Sequence, residues 1–146
     1  MISRKDVEFR SGKETCAAWY YRPGGKSGSS IPCVIMAHGF CGQRELRLDA
    51  YAESFAKAGY AVLVFDYRHF GGSSGSPRQM ISIKKQLQDW RAAVKFARSL
   101  GNVDPGSICL WGTSFSGGHV IRIAARDHAV AAVIAQVRFV SGISVA

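Results

Sequence analysis

Residues 108–118 decide the fold: Ile108-Cys109-Leu110-Trp111-Gly112-Thr113-Ser114-Phe115-Ser116-Gly117-Gly118. The first four are apolar without interruption, as in a strand buried on both faces. From Ser116 to Arg126 the chain reads as a helix despite its two glycines. Between them, Ser114 has a small residue two positions away on either side, Gly112 and Ser116. A strand that turns sharply into a helix throws its apex residue out in a strained conformation, and the neighbours at plus and minus two pass close together. Only small side chains fit there. Gly117 and Gly118 would let the helix approach the sheet, and the helix N-terminus would aim free N–H groups at charge developing beside the serine.

The same alternation extends along the chain. Residues 7–10 and 15–22 read as paired strands, with the Gly/Ser-rich stretch 24–30 as a turn before the next. Pro32 introduces the apolar run 33–37. A helical stripe of Leu48, Tyr51, Ala52, Phe55 and Ala58 then ends at Gly59. Strand 60–65 follows, then a helix marked by Ile83, Leu87, Trp90, Val94 and Ala97, closed by Gly101. Asp104-Pro105-Gly106 is a turn signal before strand 108–111, and residues 130–137 are the last strand. Buried strands alternating with amphipathic helices imply an α/β fold, a mostly parallel sheet with helices on both faces. In such folds ligands bind beyond the carboxyl ends of the strands.

Composition narrows the function. The chain has 146 residues, enough for one domain with a core. No apolar run is long enough to span a bilayer, so no membrane partner is expected, and no targeting segment is read at the start. Nineteen basic against ten acidic residues give +9, but the charges are dispersed, with no run of five. Net charge alone accounts for nonspecific attraction, so no specific nucleic-acid partner is expected. Cys16, Cys33, Cys41 and Cys109 form no C-x-x-C pair. Neither metal nor cofactor is implied, and reduced thiols fit a cytoplasmic protein.

Two further motifs follow strand ends. His38-Gly39-Phe40 comes directly after strand 33–37, and Asp66-Tyr67-Arg68-His69-Phe70-Gly71-Gly72-Ser73 after strand 60–65. With the elbow they make the chain resemble the α/β-hydrolase superfamily over almost its whole length. Ala37-His38-Gly39-Phe40, Phe65-Asp66-Tyr67-Arg68 and Gly117-Gly118-His119-Val120 resemble in particular the bacterial hydrolases related to fungal polyketide transferases. The resemblance implies Ser114 as nucleophile, with an oxyanion hole from the N–H groups of Phe40 and Phe115. It implies that His38 braces its loop with Gly39, and that Asp66 and Arg68 fix their turn as a pair. Gly112, Ser116 and Gly117 would support the elbow. Ser116 falls in the first helical turn, where its hydroxyl can serve backbone N–H groups as a cap does. The expected substrate is a small acyl compound.

In that superfamily the catalytic acid and histidine follow the serine in chain order. After Ser114 come only His119, Asp127 and His128. His119 is one turn into the elbow helix, pointing along it, and the other two are at its far end, about 15 Å away at 1.5 Å per residue. The expectation is therefore a single incomplete domain over 1–146, the N-terminal half of a hydrolase ending after its sixth strand. Its chemistry would be hydrolysis of carboxylic esters or thioesters through an acyl-enzyme, weak or absent in these residues alone. The alternatives are an acyl or polyketide transferase of the same fold and a non-catalytic α/β binding module. Strand 130–137, left as an apolar edge, is expected to drive self-association.

Overall fold

The computed structural model describes residues 1–25 and 30–142. Six strands form one sheet: β1 Ser3–Ser11, β2 Glu14–Arg22, β3 Ile31–Ala37, β4 Ala61–Phe65, β5 Val103–Thr113 and β6 Val130–Gln136. Helices α1 Leu48–Lys57, α2 Ile83–Arg98 and α3 Phe115–Ala124 connect the parallel strands. The sheet order is β1-β2-β4-β3-β5-β6. β1 pairs antiparallel with β2 and β2 with β4, and the remaining pairings are parallel.

The period-two geometry of a strand divides the core in two. Val34, Met36, Val62, Val64 and Trp111 face α1, against Leu48, Ala52 and Ala56. The alternate residues Cys33, Ile35, Ala37, Leu63, Phe65, Ile108 and Leu110 face the other way, with Trp90, Val94 and Ala97 of α2 and Val120 and Ile123 of α3. Strands 33–37 and 61–65 are apolar throughout because both faces are covered. Each large side chain so buried contributes about 1.5–3 kcal/mol relative to exposure. The start of α2 is closed by Ser82, whose hydroxyl accepts from the Lys85 N–H at 3.3 Å.

The inward stripe of α1 is Leu48, Ala52 and Ala56, rotated from the expected one, which leaves Tyr51 44% exposed against the Trp111 ring. β5 begins five residues before its apolar run. The Asp104-Pro105-Gly106 turn is a bulge within it, closed by the Asp104 carboxylate on the Gly106 N–H and Ser107 hydroxyl. Most of the 24–30 turn, and the tail beyond Gly142, lie outside the described residues.

β6 is an edge of the sheet. Its Val133 and Ala135 pack on the α2–α3 side, whereas Ile134, paired with Trp111, is 44% exposed on the other. Among the described residues no helix is long and apolar enough to cross a membrane.

Candidate active site

β3, β4 and β5 end side by side, and the loops leaving them meet at Ser114. The parallel register pairs Ala37 with both Phe65 and Gly112, which aligns His38, Asp66 and Thr113 just beyond. Ser114 has φ 54° and ψ −114°, a backbone conformation that costs a non-glycine residue about 1–3 kcal/mol. The strain is held from both sides. The Ser114 N–H donates to the Gln136 carbonyl at 2.9 Å, and the Ser114 carbonyl accepts from Phe139 at 2.9 Å and Gly117 at 3.0 Å. The side chain is exposed, and among the described residues its hydroxyl makes no hydrogen bond.

Close packing explains the small residues around it. A β-carbon on Gly112 would overlap the Ser116 carbonyl, and one on Gly118 the Phe139 carbonyl. On Gly117 it would meet the Arg138 backbone at 3.0 Å. The two helix glycines thus admit the chain leaving β6. On the opposite loop, a β-carbon on Gly39 would lie 3.2 Å from the Ser114 β-carbon and 3.3 Å from the Thr113 carbonyl. The rings of Phe40 and Phe115 meet edge to face at 5.7 Å, so the residues on either side of the serine are brought together. Phe115 is the first residue of α3, where a helix leaves its N–H groups without intrahelical acceptors.

His38 is buried and faces its own loop. Its Nδ1 is 3.0 Å from the Gly39 carbonyl, and its Nε2 is 3.5 Å from the Tyr67 N–H. One neutral tautomer satisfies both, with Nδ1 donating and Nε2 accepting. Burial pushes its pKa down, opposed by the Gly39 carbonyl and the Asp66 carboxylate. Asp66, 1% exposed, accepts from the backbone N–H groups of Arg44 at 2.7 Å and Gly72 at 3.0 Å, with the Arg44 side chain at 3.5 Å.

Two expectations need correction. Arg68 does not pair with Asp66. Its guanidinium donates to Asp89 of α2 at 2.7 Å and to the Ser11 hydroxyl at 2.7 Å, and Ser11 donates to Asp89 at 2.6 Å. The motif still fixes its turn, but through α2 and β1. Nor does Ser116 cap the helix. Its hydroxyl is fully buried and donates to the His38 carbonyl, while the Tyr67 hydroxyl donates to it. Trp90 Nε1–H in turn donates to Tyr67 at 2.7 Å. This Trp90–Tyr67–Ser116–His38 chain ties the His38–Phe40 loop to the elbow helix, and sequence reading missed Tyr67 and Trp90. Within the sequence, Tyr67 belongs to a recognised turn motif, but nothing there points at a partner 49 residues away.

His119 is turned from the serine, with Nε2 2.8 Å from Gln86 Oε1 and its ring 4.9 Å from that of Phe115. Asp127 pairs with Arg98 at 2.9 Å beyond the end of α3. Among the described residues no group of three or more His, Cys, Asp or Glu is placed to hold a metal ion.

A mostly parallel sheet in this order, with a strained serine between β5 and the following helix, defines an α/β-hydrolase. The solved structure of a hypothetical protein from Pseudomonas aeruginosa superposes with a TM-score of 0.90 at 29% identity, over 94% of this chain and 43% of that one. Residues 15–145 match the X-Pro dipeptidyl-peptidase (S15) family, and the chain belongs to it. It is 52% identical to the quorum-quenching protein AidA of Acinetobacter baumannii over 95% of its own length and 45% of AidA's. It is 43% identical to the thiohydrolase aneE of Aspergillus aculeatus, over 70% of this chain and 32% of that protein. Fungal polyketide transferases are among its further relatives. The chain thus spans less than half the length of these relatives.

Proposed function

We propose that Ser114 is the nucleophile of a serine hydrolase acting on carboxylic esters or thioesters. One observation carries the reading: an exposed, unbonded serine hydroxyl held at φ 54° between a strand end and a helix N-terminus, with Gly39 packed against it. The hydroxyl attacks the acyl carbon, and the acyl oxygen becomes an oxyanion. The backbone N–H groups of Phe40 and Phe115 are the donors the proposal assigns to it, and loss of one such donor costs about 3 kcal/mol of barrier. Collapse of the oxyanion breaks the ester or thioester bond and releases the alcohol or thiol, which leaves the acyl group on Ser114. Water then attacks this acyl-enzyme, releasing the carboxylic acid and restoring the serine hydroxyl. The thiohydrolase name of one relative supports thioesters as substrates.

Proton removal from Ser114 needs a base, and a base needs an orienting acid. Among the described residues no histidine is bonded to Ser114, and His38 and His119 are committed elsewhere. The proposal places base and acid in the part of the fold that the relatives have and these residues do not span. The four free cysteines suit a reducing, cytoplasmic setting, which belongs to the same proposal. An acyl or polyketide transferase is the second reading, favoured by the relatives of that name. It would pass the same acyl-enzyme to a nucleophile other than water.

The test is turnover of an activated short-chain ester. The 146 residues alone should show little. A chimera carrying the part of AidA that this chain does not match should turn over and lose activity with Ser114→Ala. A chimera that folds yet stays inactive on esters and thioesters, with and without an amine or alcohol acceptor, would overturn both readings.

A further inference from the structure

Where α2 and α3 end, away from the elbow, their side chains border a half-open hollow of about 430 Å³. Ten residues of helix, about 15 Å at 1.5 Å per residue, separate it from Ser114. Its floor is apolar, formed by the buried side chains of Val94 and Ile123. Its rim is cationic: Arg91, Lys95 and Arg98 from α2, and Arg126 just beyond α3. Asp127 is the one carboxylate of the lining, and both its oxygens are held by Arg98, at 2.9 and 3.3 Å. Among the described residues, the side chains of Arg91, Lys95 and Arg126 make no hydrogen bond or salt bridge.

Basic residues near helix C-termini also complement the helix dipole, and that role has to be subtracted first. Each helix end is worth about half a negative charge. Four cations less Asp127 leave three positive charges, and the two helix ends offset about one of them. About two remain, on exposed side chains gathered around a concavity, which focuses their field. That is the charge of a phosphate monoester. Guanidinium groups suit it further, because their paired N–H donors match two phosphoryl oxygens at once.

We propose that this hollow binds a phosphorylated small molecule, its phosphoryl group between Arg91 and Arg126 and its organic part over Val94 and Ile123. Arg91 and Arg126 also line a neighbouring hollow with Lys84 and Arg122, so the basic surface continues past the site. The buried Val94 and Ile123 give the first hollow a floor for a compact organic group, which a nucleic-acid backbone bound through a row of phosphate contacts would leave unused. The site is independent of the acyl chemistry assigned to Ser114.

Calorimetric titration of the 146-residue chain at low salt tests it, with phenyl phosphate and inorganic phosphate as probes. Phenyl phosphate should bind saturably at one site and more tightly than inorganic phosphate. Arg91→Gln and Arg126→Gln should each weaken it about tenfold, with circular dichroism unchanged. The pair Lys5→Gln/Lys13→Gln, which removes two exposed charges elsewhere, should bind as the parent does. Equal weakening in that pair would reduce the effect to net charge and overturn the site. So would unsaturable binding, or no advantage for the phenyl group. Displacement of phenyl phosphate by a duplex oligonucleotide that binds more tightly through the same arginines would overturn it in favour of nucleic acid.

Discussion

Replacing Ser116 with alanine removes one hydroxyl from the chain running from Trp90 through Tyr67 to the His38 carbonyl. The Tyr67 O–H then loses its acceptor and the His38 carbonyl loses that donor, both where water does not reach: Tyr67 and Ser116 are 0% exposed and His38 is 3%. An unsatisfied buried group costs about 1–3 kcal/mol, so the pair should cost about 2–6 kcal/mol. With a urea slope of about 2 kcal/mol per molar, the unfolding midpoint should fall by roughly 1–3 M. Urea titration of the 146-residue chain by circular dichroism reads this directly. Tyr67→Phe should be coupled to Ser116→Ala, the double variant losing about 0.5–3 kcal/mol less than the sum of the singles. Ser116→Gly, which would be harmless if small size were the whole requirement, should be at least as damaging as Ser116→Ala. A midpoint shift below about 0.2 M, or strict additivity, would refute the idea that this hydroxyl ties the loop to the elbow.

Burial, with the Arg122 charge second, lowers His119 to about 4 against an ordinary 6.5. The unfolded chain therefore binds more protons between those values, so the stability His119 contributes is full above pH 6.5 and is lost as pH falls towards 4, up to about 3 kcal/mol. Urea midpoints measured from pH 7 to 4 should fall, and less steeply in His119→Gln; parallel curves would count against the assignment. Asp89→Ala leaves the Arg68 guanidinium, 6% exposed, without its carboxylate and should cost about 3–5 kcal/mol, read by thermal unfolding. Gly39→Ala, whose β-carbon would press on Ser114 and the Thr113 carbonyl, should lower ester turnover in the AidA chimera at least tenfold while shifting its melting temperature little. The β6 edge, with Ile134 and Val137 exposed, should make the 146 residues self-associate at tens of micromolar, and Ile134→Lys should reduce it by light scattering. A parent that stays monomeric for days would remove that expectation.

Local signals carried most of the fold. Runs such as 33–37 and 61–65 announce strands buried on both sides, and the stripe from Ile83 to Ala97 announces its helix, because side-chain period is a local property. The small residues around Ser114 were readable for the same reason: the turn that demands them lies within five residues. Contacts between distant segments were not readable. Arg68 has Asp66 two positions away, yet its carboxylate comes from Asp89 on α2, because sheet packing and not sequence separation sets who is near. Ser116 looked like a cap because it opens a helix, but its hydroxyl is claimed by a carbonyl 78 residues back. The turn residues 104–106 looked like a boundary, although a strand can carry them as a bulge.

The central claim is that Ser114 is the nucleophile, and covalent labelling tests it most directly. The AidA chimera should be treated with a serine-directed phosphonate and the adduct located by peptide mass spectrometry. The account predicts one adduct, on Ser114, absent in Ser114→Ala although that variant remains folded. An adduct on Ser116, or full activity in Ser114→Ala, would contradict it.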